Sequence, residues 1–90
     1  LLAWENEAFL AIEELGTGKF EIVTPSLSIL AEPSVALVDR NAAANGTTAV
    51  AKAYLDFLYA PEGQKLAANH FYRPSRPELA DPAEMKRFRK

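Results

Sequence analysis

Thr47-Thr48-Ala49-Val50-Ala51-Lys52-Ala53-Tyr54-Leu55-Asp56-Phe57-Leu58-Tyr59-Ala60-Pro61-Glu62-Gly63-Gln64 carries two helix signals in succession. Thr47 or Thr48 supplies a capping hydroxyl, and Val50, Ala53, Tyr54, Phe57 and Leu58 recur at helical spacing as the expected buried stripe. Lys52 and Asp56 stand four apart on the opposite side, where they can form a weak ion pair. Ala60-Pro61 breaks this helix and starts another, because proline's missing N–H is tolerated in a first turn. Glu62 favours the same start through the helix dipole, and the second helix is expected to run through Gln64, Leu66 and Ala67 towards Phe71.

Upstream, Val35-Ala36-Leu37-Val38 is a nearly continuous apolar run between Pro33 and Asp39-Arg40-Asn41, which predicts a strand buried on both faces. Phe20-Glu21-Ile22-Val23-Thr24 alternates and is partly β-branched, a second strand that Pro25 ends or confines to an edge. Asn45-Gly46 marks a turn, with the form of the preceding alanine loop left open. Nearer the start, Ala8, Phe9, Ile12 and Leu15 predict a helix from about Glu7 to Leu15, with Asn6 as N-cap and Gly16 as the left-handed stop. Downstream, Arg73-Pro74-Ser75-Arg76-Pro77 reads as a loop, and Asp81-Pro82-Ala83-Glu84 has the cap, proline and acid order of a short final helix. These segments predict about two strands and three to four helices.

Ninety residues allow one domain at most and a single modest core. With 49% hydrophobic and 24% charged residues, the balance is globular rather than disordered. The net charge of −2 is unevenly spread. Residues 1–45 carry seven acids against Lys19 and Arg40, whereas residues 46–90 carry eight bases against five acids. Much of the basic excess is the terminal Lys86-Arg87-Phe88-Arg89-Lys90, which reads as a solvated tail. Phe88 is the one aromatic residue among those bases, so the pattern does not favour nucleic-acid binding. The opening Leu1-Leu2-Ala3, without methionine, leads us to expect a fragment of something longer.

The chemistry available is narrow. Cysteine is absent, which excludes disulfides, a thiol nucleophile and thiolate metal ligation. His70 is the one histidine, so a multi-histidine metal site is excluded and no base is evident for a serine or threonine nucleophile. Glu5 and Glu7 read as solvated carboxylates, and the scattered glycines fit no phosphate loop. No catalytic residue, metal or cofactor is expected. Trp4 has two readings: a core tryptophan, or an indole N–H donor beside a helix N-terminus. The second arrangement suits a desolvated oxyanion, since backbone amides and the dipole act there without a countercharge.

Leu2-Ala3-Trp4-Glu5-Asn6-Glu7-Ala8 resembles the Trp-Glu-Asn-Glu-Ala segment of bacterial periplasmic sulfate- and thiosulfate-binding proteins, solute receptors of ABC importers in the type II periplasmic-binding-protein family. The likeness continues through Phe20-Glu21-Ile22-Val23-Thr24-Pro25-Ser26-Leu27-Ser28-Ile29-Leu30-Ala31-Glu32-Pro33, through Ala53 to Gln64, and through Phe71-Tyr72-Arg73-Pro74. The helix followed by Pro-Glu-Gly-Gln is shared by many solute receptors, whereas the first two segments are far more specific. Ala60 departs from the small polar cap usual in the family before Pro-Glu-Gly-Gln.

The resemblance implies the C-terminal portion of a fold with two α/β lobes that hold an oxyanion between them by neutral hydrogen-bond donors. Residues 1–24 would come from the cleft side of one lobe, 25–34 would be a hinge crossing, and 35–90 would come from the other lobe. It implies that Trp4 gives its indole N–H to bound sulfate or thiosulfate, while the other ligands lie outside these residues. It also implies a periplasmic location, ABC membrane subunits as partners, and a signal peptide outside this stretch. A chain parted from its covering segments would self-associate. The alternative reading is a free-standing α+β protein-interaction domain of the same ancestry, without anion binding.

Overall fold

A helix forms at each capping signal in the sequence, although of Asn6, Thr47, Thr48 and Asp81 only Asp81 caps with its side chain, and neither expected strand forms. The computed structural model describes residues 1–88; Arg89 and Lys90 of the basic tail lie outside them. Among the described residues, five α-helices follow in order: α1 (Glu5–Leu15), α2 (Asp39–Ala44), α3 (Thr48–Tyr59), α4 (Pro61–Asn69) and α5 (Pro82–Met85), with a 3-10 turn at Pro77–Leu79 before the last.

The α/β expectation is therefore corrected: among the described residues there is no strand and no sheet. Residues 20–24 and 35–38 have the composition of strands, but a strand exists only through hydrogen bonds to a neighbour, and these two stretches do not pair with each other. The polar run Asp39-Arg40-Asn41, expected to bound a strand, instead opens α2. Asp39 favours the helix N-terminus electrostatically, and three alanines propagate the helix at little entropic cost. Its end is a Schellman motif: Gly46 is left-handed at φ 64°, while the Thr47 N–H donates to Ala42 O and the Gly46 N–H to Ala43 O.

Helix α1 begins two residues earlier than the Asn6 cap implies. Trp4 is the N-cap, with extended backbone, and its N–H donates to the Glu7 carboxylate at 3.3 Å. That is the acidic half of a capping box; the indole, a donor only, cannot supply the other half. The Lys52–Asp56 pair forms at 2.7 Å, and Asp81 caps α5 by accepting from the Ala83 N–H at 2.8 Å.

The helices meet around α4, which packs against α3, the 3-10 turn and α5. The centre of this contact is polar. Gln64 is 3% exposed, and its amide donates to Leu58 O at 2.6 Å. Its carbonyl accepts from the Arg76 N–H at 2.7 Å and from the Ser75 hydroxyl at 3.4 Å. Gly63 lets the two helices approach this closely, because a Cβ there would lie 2.1 Å from Phe57 O. Pro74, Ala68 and Ala80 are buried nearby.

The apolar stripes are largely uncovered. On α3, Val50, Tyr54 and Phe57 are exposed, and the half-buried face is Ala51, Leu55 and Leu58. On α1, Ala8, Phe9 and Ile12 are half-buried as expected, but Leu15 is exposed. The accessible surface of 7641 Å² exceeds the roughly 5,200 Å² of a compact chain of this mass. The radius of gyration is 16.4 Å, against about 12 Å for a compact chain of this length. The apolar side chains thus outnumber the surfaces available to cover them.

Gln64→Leu keeps the volume but leaves Leu58 O and the Arg76 N–H without their partner. We expect a loss of about 2 kcal/mol of stability, from the penalty for unpaired buried polar groups. Urea unfolding checks this, with faster amide exchange at Arg76 as the local sign; an unchanged midpoint would show that Gln64 is dispensable to the packing.

Candidate functional site

Helix α1 meets the far part of the described chain through Phe9 and Glu5, and Trp4 is its N-cap. The cluster that receives them is built from the end of α4. That helix closes with a second Schellman motif, in which the Tyr72 N–H donates to Ala67 O at 2.9 Å and the Phe71 N–H to Ala68 O at 3.2 Å. The left-handed position, usually glycine, is occupied by Phe71 at φ 69°. A residue with a Cβ costs about 1–2 kcal/mol in this region. The phenyl ring offsets that cost through its contacts: it lies 6.0 Å from the ring of Phe9, with the Arg87 guanidinium 4.6 Å above its centroid.

Phe88 completes the cluster. It is the largest buried apolar side chain, meets Phe9 edge to face at 5.8 Å, and carries the Arg73 guanidinium 5.3 Å above its ring. The same guanidinium grips Glu5 with two bonds, Nε to Oε1 at 2.6 Å and Nη2 to Oε2 at 2.8 Å. Arg87 in turn pairs with Glu84 and donates to Ala68 O at 3.4 Å. The chain's terminal segment is thereby tied to α4 and α1 together.

The first turn of α1 is fixed by Phe9 from below and by the Arg73–Glu5 pair at its side. Trp4 precedes it, 67% exposed, so the core reading of this residue does not hold among the described residues. The first intrahelical bond runs from the Ala8 N–H to Trp4 O, leaving the N–H groups of Glu5, Asn6 and Glu7 without intrahelical acceptors. These donors and the indole N–H can serve an anion. Two carboxylates share the turn, but both are occupied: Glu5 by Arg73, Glu7 by the Trp4 backbone.

Other sequence candidates stay apart from this site. His70 is exposed at the C-cap of α4, and no group of His, Asp or Glu suited to a metal occurs among the described residues. Sequence reasoning gave no role to Arg73, Phe71 or Phe88. Arg73 and Glu5 are 68 residues apart, and nothing local in a single chain signals such a pairing.

No family model matches the chain. It is 60% identical over 84 residues to a sulfate-binding protein of Escherichia coli, an alignment covering 93% of this chain and 26% of that protein. A sulfate-binding protein of Salmonella typhimurium is 61% identical over 89% of the chain and 24% of its own length. A thiosulfate-binding protein of Pseudomonas aeruginosa is 48% identical over 88% of the chain and 24% of its own length. The chain is thus homologous to a segment of sulfate- and thiosulfate-binding proteins, as its motifs imply, and spans about a quarter of the length of these curated relatives. All three are named as binding proteins rather than enzymes.

If Phe9 holds α1 in place, Phe9→Ala should cost about 2 kcal/mol, less than a fully buried phenylalanine because the ring is only half-covered. Leu15→Ala, at an exposed position of the same helix, should cost well under 1 kcal/mol. Trp4, the one tryptophan, reports both in denaturant titrations by its fluorescence. Equal losses from the two variants would show that the aromatic cluster does not secure α1.

Proposed function

We propose that these ninety residues act as part of the substrate-binding component of a sulfate/thiosulfate ABC importer, a periplasmic receptor that captures a tetrahedral oxyanion with neutral donors and presents it to membrane subunits. The observation that carries this reading is the pairing of close homology to sulfate- and thiosulfate-binding proteins with an exposed tryptophan at the N-cap of α1. In this reading Trp4 donates its indole N–H to the anion, and the first-turn amides of α1 contribute beside it. Residues 1–24 belong to one lobe, 25–34 to the crossing between lobes, and 35–90 to the other lobe. The irregular backbone between α1 and α2 is compatible with a crossing segment.

The uncovered apolar side chains support a role within a larger body. Val23, Leu27, Ile29, Val50 and Tyr54 are each at least 65% exposed. Isolated at high concentration, the ninety-residue chain should therefore associate with itself. Sedimentation velocity checks this; a monodisperse monomer with a cooperative melt would show that the chain needs no further cover.

In the receptor-length protein, Trp4→Phe keeps most of the ring's apolar area and removes the donor. Sulfate affinity should fall about tenfold to hundredfold, the loss of a hydrogen bond to a charged acceptor worth about 1.5–3 kcal/mol. The melting temperature without sulfate should stay within about 2 °C, as for an exposed substitution. Calorimetric titration with sulfate and a thermal melt on the same variant decide it: an unchanged dissociation constant would refute the ligand role.

A further inference from the structure

The first turn of α1 presents a difficulty for any anion that docks there. Glu5 and Glu7 put two carboxylates at the very helix end whose amides and dipole favour negative charge. Glu7 is engaged by the Trp4 backbone N–H, a neutral donor that leaves its charge in place. Among the described residues, Glu5 is the one of the two that meets a full countercharge, the guanidinium of Arg73.

That contact has more structure than a surface ion pair. Two parallel N–H···O bonds at 2.6 and 2.8 Å fix the relative orientation of carboxylate and guanidinium. The guanidinium also lies over the ring of Phe88, which is buried. Arg73 follows directly on the left-handed Phe71 and on Tyr72, whose N–H closes the Schellman motif, so its backbone is set by the end of α4. Pro74, buried, follows it. Among the other cations near this end of α4, Arg87 is paired with Glu84 and set over Phe71.

We propose that Arg73 is a charge-compensating residue of the oxyanion site: by taking both oxygens of Glu5 it cancels the charge of the carboxylate next to Trp4. This rests on the assignment of Trp4 as an anion ligand. Arg73 acts through Glu5 and does not itself touch the anion.

The consequence is electrostatic and has a signature that a purely structural role lacks. In the receptor-length protein, Arg73→Gln leaves Glu5 uncompensated beside a dianion, and sulfate affinity should drop roughly fivefold at low ionic strength. The deficit should vanish near 1 M sodium chloride, where screening acts over about 3 Å. Adding Glu5→Gln to Arg73→Gln should restore affinity at low salt, because the pair is then neutral again. Arg73→Lys, which keeps the charge but not the fork, should bind sulfate within about twofold of the parent and carries the test should Arg73→Gln fail to fold.

Calorimetric sulfate titrations of these variants at two salt concentrations read all of this. A loss in Arg73→Gln that persists in high salt and is not restored by Glu5→Gln would overturn the proposal, as would no loss at all or a Lys variant as weak as the Gln variant. Trp4→Phe in the same series separates the layers. If it leaves affinity unchanged, the ligand assignment fails; if it weakens binding while the Arg73 series is flat, only the role of Arg73 fails.

Discussion

The amide of Gln64 is the constraint on which the arrangement depends. It satisfies a carbonyl at the end of α3 and an N–H in the loop that follows α4, and it does so from inside α4. One side chain therefore fixes three pieces of backbone against each other, in a region where little apolar burial is available to do so. A leucine there would bury more hydrocarbon, yet it would leave two backbone groups unpaired, which costs more than the added burial returns. The neighbouring residues of the Pro-Glu-Gly-Gln element follow from the same geometry. Pro61 starts α4 without wasting a donor, and Gly63 removes the Cβ that would collide with Phe57 O.

From this hub the order passes to Trp4 in steps. The loop held by Gln64 begins just beyond Phe71, Tyr72 and Arg73, so the end of α4 and its left-handed Phe71 have fixed positions. Phe71 and Phe88 receive Phe9, and Arg73 receives Glu5. Of these two attachments the aromatic one carries more energy. An aromatic pair adds about 0.5–1.5 kcal/mol beyond its area, whereas a pair about as exposed as Arg73–Glu5 gives at most about 1 kcal/mol after screening. The ion pair contributes orientation and charge balance more than adhesion.

How much of this was legible in the sequence divides along the range of the interactions. The helices α3 and α4, the capped α5, the loop after α4 and the Lys52–Asp56 pair are local, encoded within a turn or two, and are found where the residues place them, except that α4 stops at Asn69, short of the expected Phe71. The strands at 20–24 and 35–38 are not local. Their composition states a preference, but a ladder needs a partner strand, and none is present among the described residues. The α3 stripe misleads for a related reason: periodicity shows that a face is apolar, not that a surface exists to cover it. Trp4 stood out by its donor chemistry beside a helix start, whereas its support at Arg73, Phe71 and Phe88 comes from the far end of the chain and left no local trace.

Phe71 shows why the distant support and the local signal belong to one arrangement. Glycine would end α4 without strain, as Gly46 ends α2 by the same pair of hydrogen bonds. Glycine there would also remove the ring that faces Phe9 and lies beneath Arg87. The strain of about 1–2 kcal/mol is tolerated because those contacts offset it. What they secure is not the end of α4, which glycine would serve better, but the seat of α1. A strained aromatic in a cap position is therefore intelligible only from the side of the helix it receives, and that helix begins at Trp4.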